Sequence, residues 1–484
     1  MPNGAEKAYY KKEAKLLSAS MNLISLYKPP KRRTAMNNYL TVKKPLSAIL
    51  LFSLPIIIGN LFQQTYTMAD SAIVGRYVSE QALAAIGASY ALTNIFICVA
   101  IGGGIGASVI VSRYFGAKEY GKMKRAVYTA LLAFLCVSIL LGGIGLLLSR
   151  QIMIWLNTPP EALDLAAEYL NIYFIGLPLL FMYNIFSAMF NALGKSRIPL
   201  AFLMFSSIVN VALDYFMVAE LNMGVAGAAW ATLIAQGIST FLSCTVFLCK
   251  LKRFTGKAGA VFDKTELLSM TKIALPSIFQ QSTVSIGLML VQSVVNSFGT
   301  EALAGFSAAM RIESICVVPM SGIGNALSSY TAQNIGAGKP ERVQKGYRAA
   351  NGMVLFFAAV ICLVLECFNR PIISLFLGAD GTAAAISTGQ NYLRFMGWFF
   401  CLIGFKMAVD SVLRGSGDMK MFTLANFVNL SIRVVLAVTL APKFGIDMIW
   451  YAVPIGWSAN WLISFLQYRT GKWRRIYQAP PASE

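Results

Sequence analysis

Long apolar stretches alternate along the chain with short polar segments, most of them basic. Runs of roughly 20 mostly apolar residues, the length a helix needs to cross a bilayer, fall at 47–70, 87–112, 127–149, 167–190, 199–219, 227–249, 267–296, 304–330, 349–368, 387–411, 421–441 and 448–468. The pattern predicts an all-α polytopic membrane protein with twelve transmembrane helices. Pro55, Pro178, Pro276, Pro319 and Pro454 lie inside these runs and mark expected kinks.

The polar segments test this count independently. With an internal N-terminus, the inner loops hold 18 Lys and Arg residues, including Arg113, Lys118, Lys195, Lys252, Arg342 and Arg414, whereas the outer loops hold Arg76, Arg150, Arg370 and Lys443. Basic residues concentrate on the cytoplasmic side of membrane proteins. The asymmetry therefore favours twelve spans with both termini cytoplasmic, in the inner membrane of a bacterium.

The chain also repeats itself. "EQALAAIG" near residue 82 returns 220 residues later as "TEALAGFS", and "RYFGAKEYGKMKRAVYTA" from Arg113 matches "QNIGAGKPERVQKGYRAA" from Gln333. "AAW" ending at Trp230 has a counterpart in "MIW" ending at Trp450, and "ALGKSR" at 192–197 resembles "GSGDMK" at 415–420. A long internal repeat implies duplicated architecture, here two pseudo-symmetric six-helix bundles. Six crossings leave both in the same orientation, with a cleft between them as the natural substrate path. The expected domains are a basic tail at 1–45, an N-terminal lobe at 46–250, a cytoplasmic inter-lobe loop at 251–266, a C-terminal lobe at 267–470 and a cytoplasmic tail at 471–484. The first tail reads either as a disordered segment or as an over-extended start, since Met36 begins a compact version of the same protein.

Composition narrows the function. Residues are 57% hydrophobic and only 13% charged, against about 25% charged in soluble proteins. The net charge of +20 follows from loop topology, so nucleic acid is not an expected partner. There is no histidine, which removes the usual zinc sites and His-based triads, and the eight cysteines show no CxxC spacing. No GxxxxGK[ST] string occurs, so the chain carries no ATPase of its own and transport would draw on an ion gradient. "IGGGIGAS" at 101–108 contains a GxGxxG-like string, but inside an apolar helix its glycines serve close packing. No enzyme activity and no cofactor are expected.

Ionisable residues inside spans are costly and need a reason. Asp70 ends the first span, and Asp214 lies in the fifth with Asn210 one turn earlier. Thr232 sits near the start of the sixth. Two carboxylates, an amide and a hydroxyl would form an oxygen-lined pocket for a proton or Na⁺. The alternative is that both aspartates face water at the outer boundary. The second half is not a copy here, because Asp70 corresponds to Leu290 and Asp214 to Arg433. It has charges of its own: Arg311 and Glu313, two apart and so on different faces, and Lys406 and Asp410, four apart and able to pair. Glu313 is also a candidate for attracting a cationic substrate.

Taken together, "LPIIIGNLFQQTYTMADSAIVGRYVSEQALAAIG", "GASVIVSRYFGAKEYGKMKRAV", "NALGKSRIPL", "IVNVALDYF", "TAQNIGAGKPERVQKGYRAA" and "LRGSGD" resemble the multidrug and toxic compound extrusion (MATE) family over roughly residues 45–470. The resemblance implies twelve helices in two lobes and exchange of H⁺ or Na⁺ for organic, often cationic, compounds. It implies a cation site at Asp70, Asn210, Asp214 and Thr232, which would also hold Na⁺ where that is the coupling ion. An acidic residue found in the seventh helix of some members is missing from "STVSIGLMLVQSVVNSF". Gln63, Gln64, Gln280 and Gln281, with Glu313 and Asp410, are candidate polar residues of the substrate cleft. The expected function is antiport of small organic compounds by a monomer in the lipid bilayer. A flippase for a lipid-linked or polysaccharide precursor and a non-transporting scaffold are the alternatives.

Overall fold

The computed structural model describes residues 39–474 except 79, 157, 258, 379 and 380, without the side chains of 69–77, 80–84 and 91. The expected tails beyond these bounds, and the side chains of Asp70 and Arg76, lie outside the described residues. A single turn at Tyr39–Val42 precedes α1 (Pro45–Tyr77), α2 (Glu80–Gly116), α3 (Tyr120–Trp155), α4 (Pro160–Ala192), α5 (Arg197–Asp214) and α6 (Gly224–Leu251). The second half supplies α7 (Lys264–Asn296), α8 (Thr300–Gly336), α9 (Pro340–Leu377), α10 (Ala383–Gly397 and Phe400–Ser416), α11 (Met419–Phe444) and α12 (Asp447–Arg469).

Ten of these helices are each long and apolar enough to cross a membrane, and the two parts of α10 pass together. α12 is long enough at 23 residues, but Asp447, Ser458, Asn460, Gln467 and Arg469 dilute its apolar content. The expected span at 387–411 is not straight: α10 bends by 53° between Gly397 and Phe400. There the Phe399 N–H reaches Met396 O at 2.9 Å, one residue short of the α register. The five prolines singled out in the sequence all lie inside helices. α9 loses helical geometry at Phe368 (φ −126°, ψ 16°), three residues before Pro371, whose ring crowds the preceding turn.

Helix pairing reveals one plan used twice. In the first half α2 packs on α4, α3 on α4, α1 on α5 and α5 on α6; in the second, α8 packs on α10, α9 on α10, α7 on α11 and α11 on α12. Each pair recurs with both helices six further on. The halves meet through α2 with α7 and its equivalent α8 with α1, and through α2 with α8. Glycines allow this approach. A Cβ on Gly102 would lie 2.5 Å from the Ile278 backbone nitrogen, and one on Gly106 would lie 2.7 Å from Ala274 and from Met270 O. Gly102 and Gly106 of the glycine string thus face α7, while Gly103 faces Phe134 of α3 and Gly104 faces Ala188 of α4.

At the basic end the contact becomes reciprocal. A Cβ on Gly116 would lie 2.0 Å from Gln333 O, and one on Gly336 would lie 2.0 Å from Arg113 O. Arg113 Nη2 donates to Ser416 O at 3.0 Å, closing α2 onto α10, while Gln333 Nε2 donates to Ala192 O at 2.7 Å, closing α8 onto α4. These ends are therefore sealed backbone against backbone. The linker is fastened to the same end. Asp263 caps α7 through the N–H groups of Thr265 and Glu266 and receives Arg125 Nη1 at 3.1 Å. The Glu266 N–H, Arg125 and the Thr265 N–H together hold its carboxyl below the usual carboxylate range.

Gly106→Val should destabilise the protein by about 1–3 kcal/mol through overpacking of α2 on α7. Gly143→Ala, at a helix position with nothing within 4 Å, should leave stability unchanged or raise it by up to about 1 kcal/mol. Thermal unfolding in detergent checks both, and equal destabilisation by the two would contradict the packing described.

Candidate functional site

Asp214 is the last α-helical residue of α5, and the chain continues from it as a π-helical turn, Tyr215–Glu220. Such turns widen the helix and are frequent at functional sites. Nothing in the local sequence announces this one. Asp214 has no exposed surface and Asn210, one turn earlier, is nearly as buried. Asn210 Nδ2 donates to Thr232 Oγ1 on α6 at 3.3 Å, and Asn210 Oδ1 is buried without a hydrogen-bond partner among the described residues. The amide is therefore oriented with its donor used and its acceptor available. Three of the four anticipated residues share this corner of the α5–α6 pair. α1, which carries Asp70, packs against α5. The available donor atoms are oxygens, the set preferred by a proton or a hard cation.

The cleft candidates are distributed differently. Gln63 is exposed and Gln64 half-buried on α1, and Gln280 and Gln281 are half-buried on α7. Gln280 Nε2 reaches Asn426 Oδ1 at 3.5 Å, linking α7 to the interior of the second half. Glu313 and Asp410 are both buried there. Tyr392 on α10 donates to Glu313 on α8. The first half has the matching arrangement with an uncharged acceptor: Tyr173 on α4 donates to Thr93 O on α2 at 3.1 Å. Arg311 is exposed, so Arg311 and Glu313 find separate surroundings, as their spacing implies.

Lys406 and Asp410 pair at 3.3 Å, with side chains 7% and 4% exposed. Lys406 Nζ also donates to Asn426 Oδ1 at 3.1 Å, and Ser464 on α12 donates to Asp410 Oδ1 at 2.6 Å. Tyr392, Asn426 and Ser464 were not among the candidate residues. Asn426, Asn429 and Arg433 do sit at helical spacing on one face of α11, a polar stripe within an apolar run. The partners of Asn426 on α7 and α10, Gln280, Lys406 and Asp410, become visible only in three dimensions.

A buried pair of this kind is sensitive to removal of one member. Lys406→Met strands the Asp410 carboxylate and should cost about 3–5 kcal/mol, whereas Lys406→Met combined with Asp410→Asn should recover most of it. Thermal unfolding of the three variants reports the coupling; additive losses would show that the two side chains do not depend on each other.

Comparison with known proteins gives the same division of the chain. The MatE family model matches twice, at residues 55–216 and 276–439, one match in each half. "Probable multidrug resistance protein YpnP" of Bacillus subtilis is 29% identical over 432 residues, covering 89% of this chain and 96% of the relative. "Probable multidrug resistance protein YoeA" of the same organism is 26% identical over 431 residues, covering 87% and 92%. A solved MOP superfamily transporter from Pyrococcus furiosus superposes with a TM-score of 0.85 at 22% identity, covering 93% of this chain and 100% of that one. With the family model on most of its length and a shared twelve-helix, two-bundle fold, the chain belongs to the MATE family.

Proposed function

We propose that the protein is a secondary active antiporter that expels small organic compounds in exchange for H⁺ or Na⁺, by alternating access between its two halves. The observation that carries the coupling is Asp214. It is a fully buried carboxylate at the α5 π-turn, beside an amide oxygen without a partner among the described residues and the Thr232 hydroxyl. A bound proton or cation would neutralise the carboxylate and lower the cost of an apolar setting, so the ion favours one arrangement of α1, α5 and α6 over another. Asn210 and Thr232 serve as neutral ligands, and Asp70 adds its carboxylate from α1. The curated relatives are named for multidrug resistance, which supports small organic compounds as the substrate class. The basic ends of α2 and α8, closed on each other, face the cytoplasm in this proposal, in the inner membrane of a bacterium. Passage to the inward-open state breaks the Arg113–Ser416 and Gln333–Ala192 bonds.

The test is efflux of ethidium, a cationic dye, from everted vesicles with proton and Na⁺ gradients imposed separately. Wild type should transport under one of the two gradients, and Asp214→Asn should lower that rate by about tenfold or more. An undiminished rate in Asp214→Asn removes Asp214 from coupling. No dye movement by wild type under either gradient removes the antiport proposal for this substrate class.

A further inference from the structure

A cavity of about 340 Å³ opens at the basic end of the second half, lined by Tyr347 and Arg348 of α9, Phe465, Tyr468 and Arg469 of α12, and Arg474. Its size falls at the lower end of small-molecule pockets. No carboxylate lines it, and none of its three arginines forms an ion pair among the described residues. Arg348, Arg469 and Arg474 nonetheless converge, since all three line this one cavity. Three like charges around one cavity repel one another unless an anion joins them. Arg469 lies in the last turn of α12, where a cation also favours the helix dipole. Arg348 and Arg474 have no such role.

The walls are built to hold this arrangement. After α12 the chain turns back through Lys472–Arg474, and Trp473 is fully buried. Its indole stacks on Tyr468 with ring centroids 5.6 Å apart and planes 6° from parallel, and its Nε1 donates to Tyr468 O at 3.0 Å. Tyr468 in turn meets Tyr347 at 4.6 Å. Arg474 lies 5.4 Å from the Trp473 ring centroid, a cation–π position that directs its guanidinium. Burial of Trp473 thus fixes Arg474 beside arginines of two other segments.

We propose that this pocket binds a phosphate-bearing anion, held by the guanidiniums of Arg348, Arg469 and Arg474 against the Tyr347–Tyr468 aromatic wall. Guanidinium forks match phosphate oxygens in pairs. Tyr and Trp are the aromatic residues that settle at the headgroup level of a bilayer, and here they lie at the end of a candidate spanning helix. The basic end is also the side on which the cytoplasmic leaflet presents its anionic lipids. Two sources share this chemistry, a lipid phosphate headgroup and a soluble phosphate monoester.

Thermal unfolding of the full-length protein in an uncharged detergent separates them, using dioctanoyl phosphatidylglycerol, dioctanoyl phosphatidylcholine and glycerol 3-phosphate as probes. Phosphatidylglycerol should raise the unfolding temperature saturably in wild type and phosphatidylcholine should do so far less. Arg348→Gln and Arg474→Gln, both at exposed positions, should each weaken the effect about tenfold. The same saturable, arginine-dependent response to glycerol 3-phosphate, with no gain from the acyl chains, would keep the site and assign it to the soluble anion. Stabilisation that is absent with every probe, or that survives unchanged in both variants, would overturn the proposal.

Discussion

A carboxylate inside an apolar helix bundle is the constraint on which the rest of this molecule turns. Water cannot solvate it there, so its charge must be met by a proton, a bound cation or a fixed counter-charge of the protein. The two halves meet that demand differently. In the second half, Lys406 sits on Asp410, and Tyr392 donates to Glu313. The Asp410 charge is thus met by a group that belongs to the chain. In the first half, Asp214 is set beside an amide and a hydroxyl, Asn210 and Thr232. On the proposed reading, the first-half carboxylate is the one whose charge is met by an exchangeable ion.

Two bundles of one design need a joint at which they separate and rejoin. The glycine faces supply it. Backbones at Gly102 and Gly106 approach α7 too closely for any side chain, and Gly116 and Gly336 cross at the basic end in a mutual contact. The bonds Arg113–Ser416 and Gln333–Ala192 are pseudo-symmetric partners of each other. Contacts so close are either made or broken, with no graded intermediate, which is how packed interfaces produce two discrete states. An ion at Asp214 would bias the choice between those states through α5 and α6, without touching the joint.

Much of this architecture was legible along the chain because apolar length, loop charge and the repeat near 220 residues are global signals. Asn210 and Asp214, four apart, share a helix face already in the sequence, and the structure adds the Asn210–Thr232 bond to α6. Other features were not. The break in α10 comes from a local change of hydrogen-bond register at Met396–Phe399, which no proline announces. The π-turn after Asp214 likewise depends on packing between α5 and α6. The partners of Glu313 and Asp410 on other helices, Tyr392, Asn426 and Ser464, lie far from them in sequence. Tyr392 and Ser464 are ordinary residues in sequence and acquire their roles only by position.

The most direct measurement is the affinity of the purified protein for a cationic dye as a function of pH and of Na⁺ concentration, in wild type and in Asp214→Asn. If ion and substrate favour opposite states, linkage requires each to weaken binding of the other. Wild type should then lose dye affinity as H⁺ or Na⁺ rises, whereas Asp214→Asn should bind with an affinity that neither ion changes. Equal ion dependence in the two proteins would contradict the assignment of coupling to Asp214.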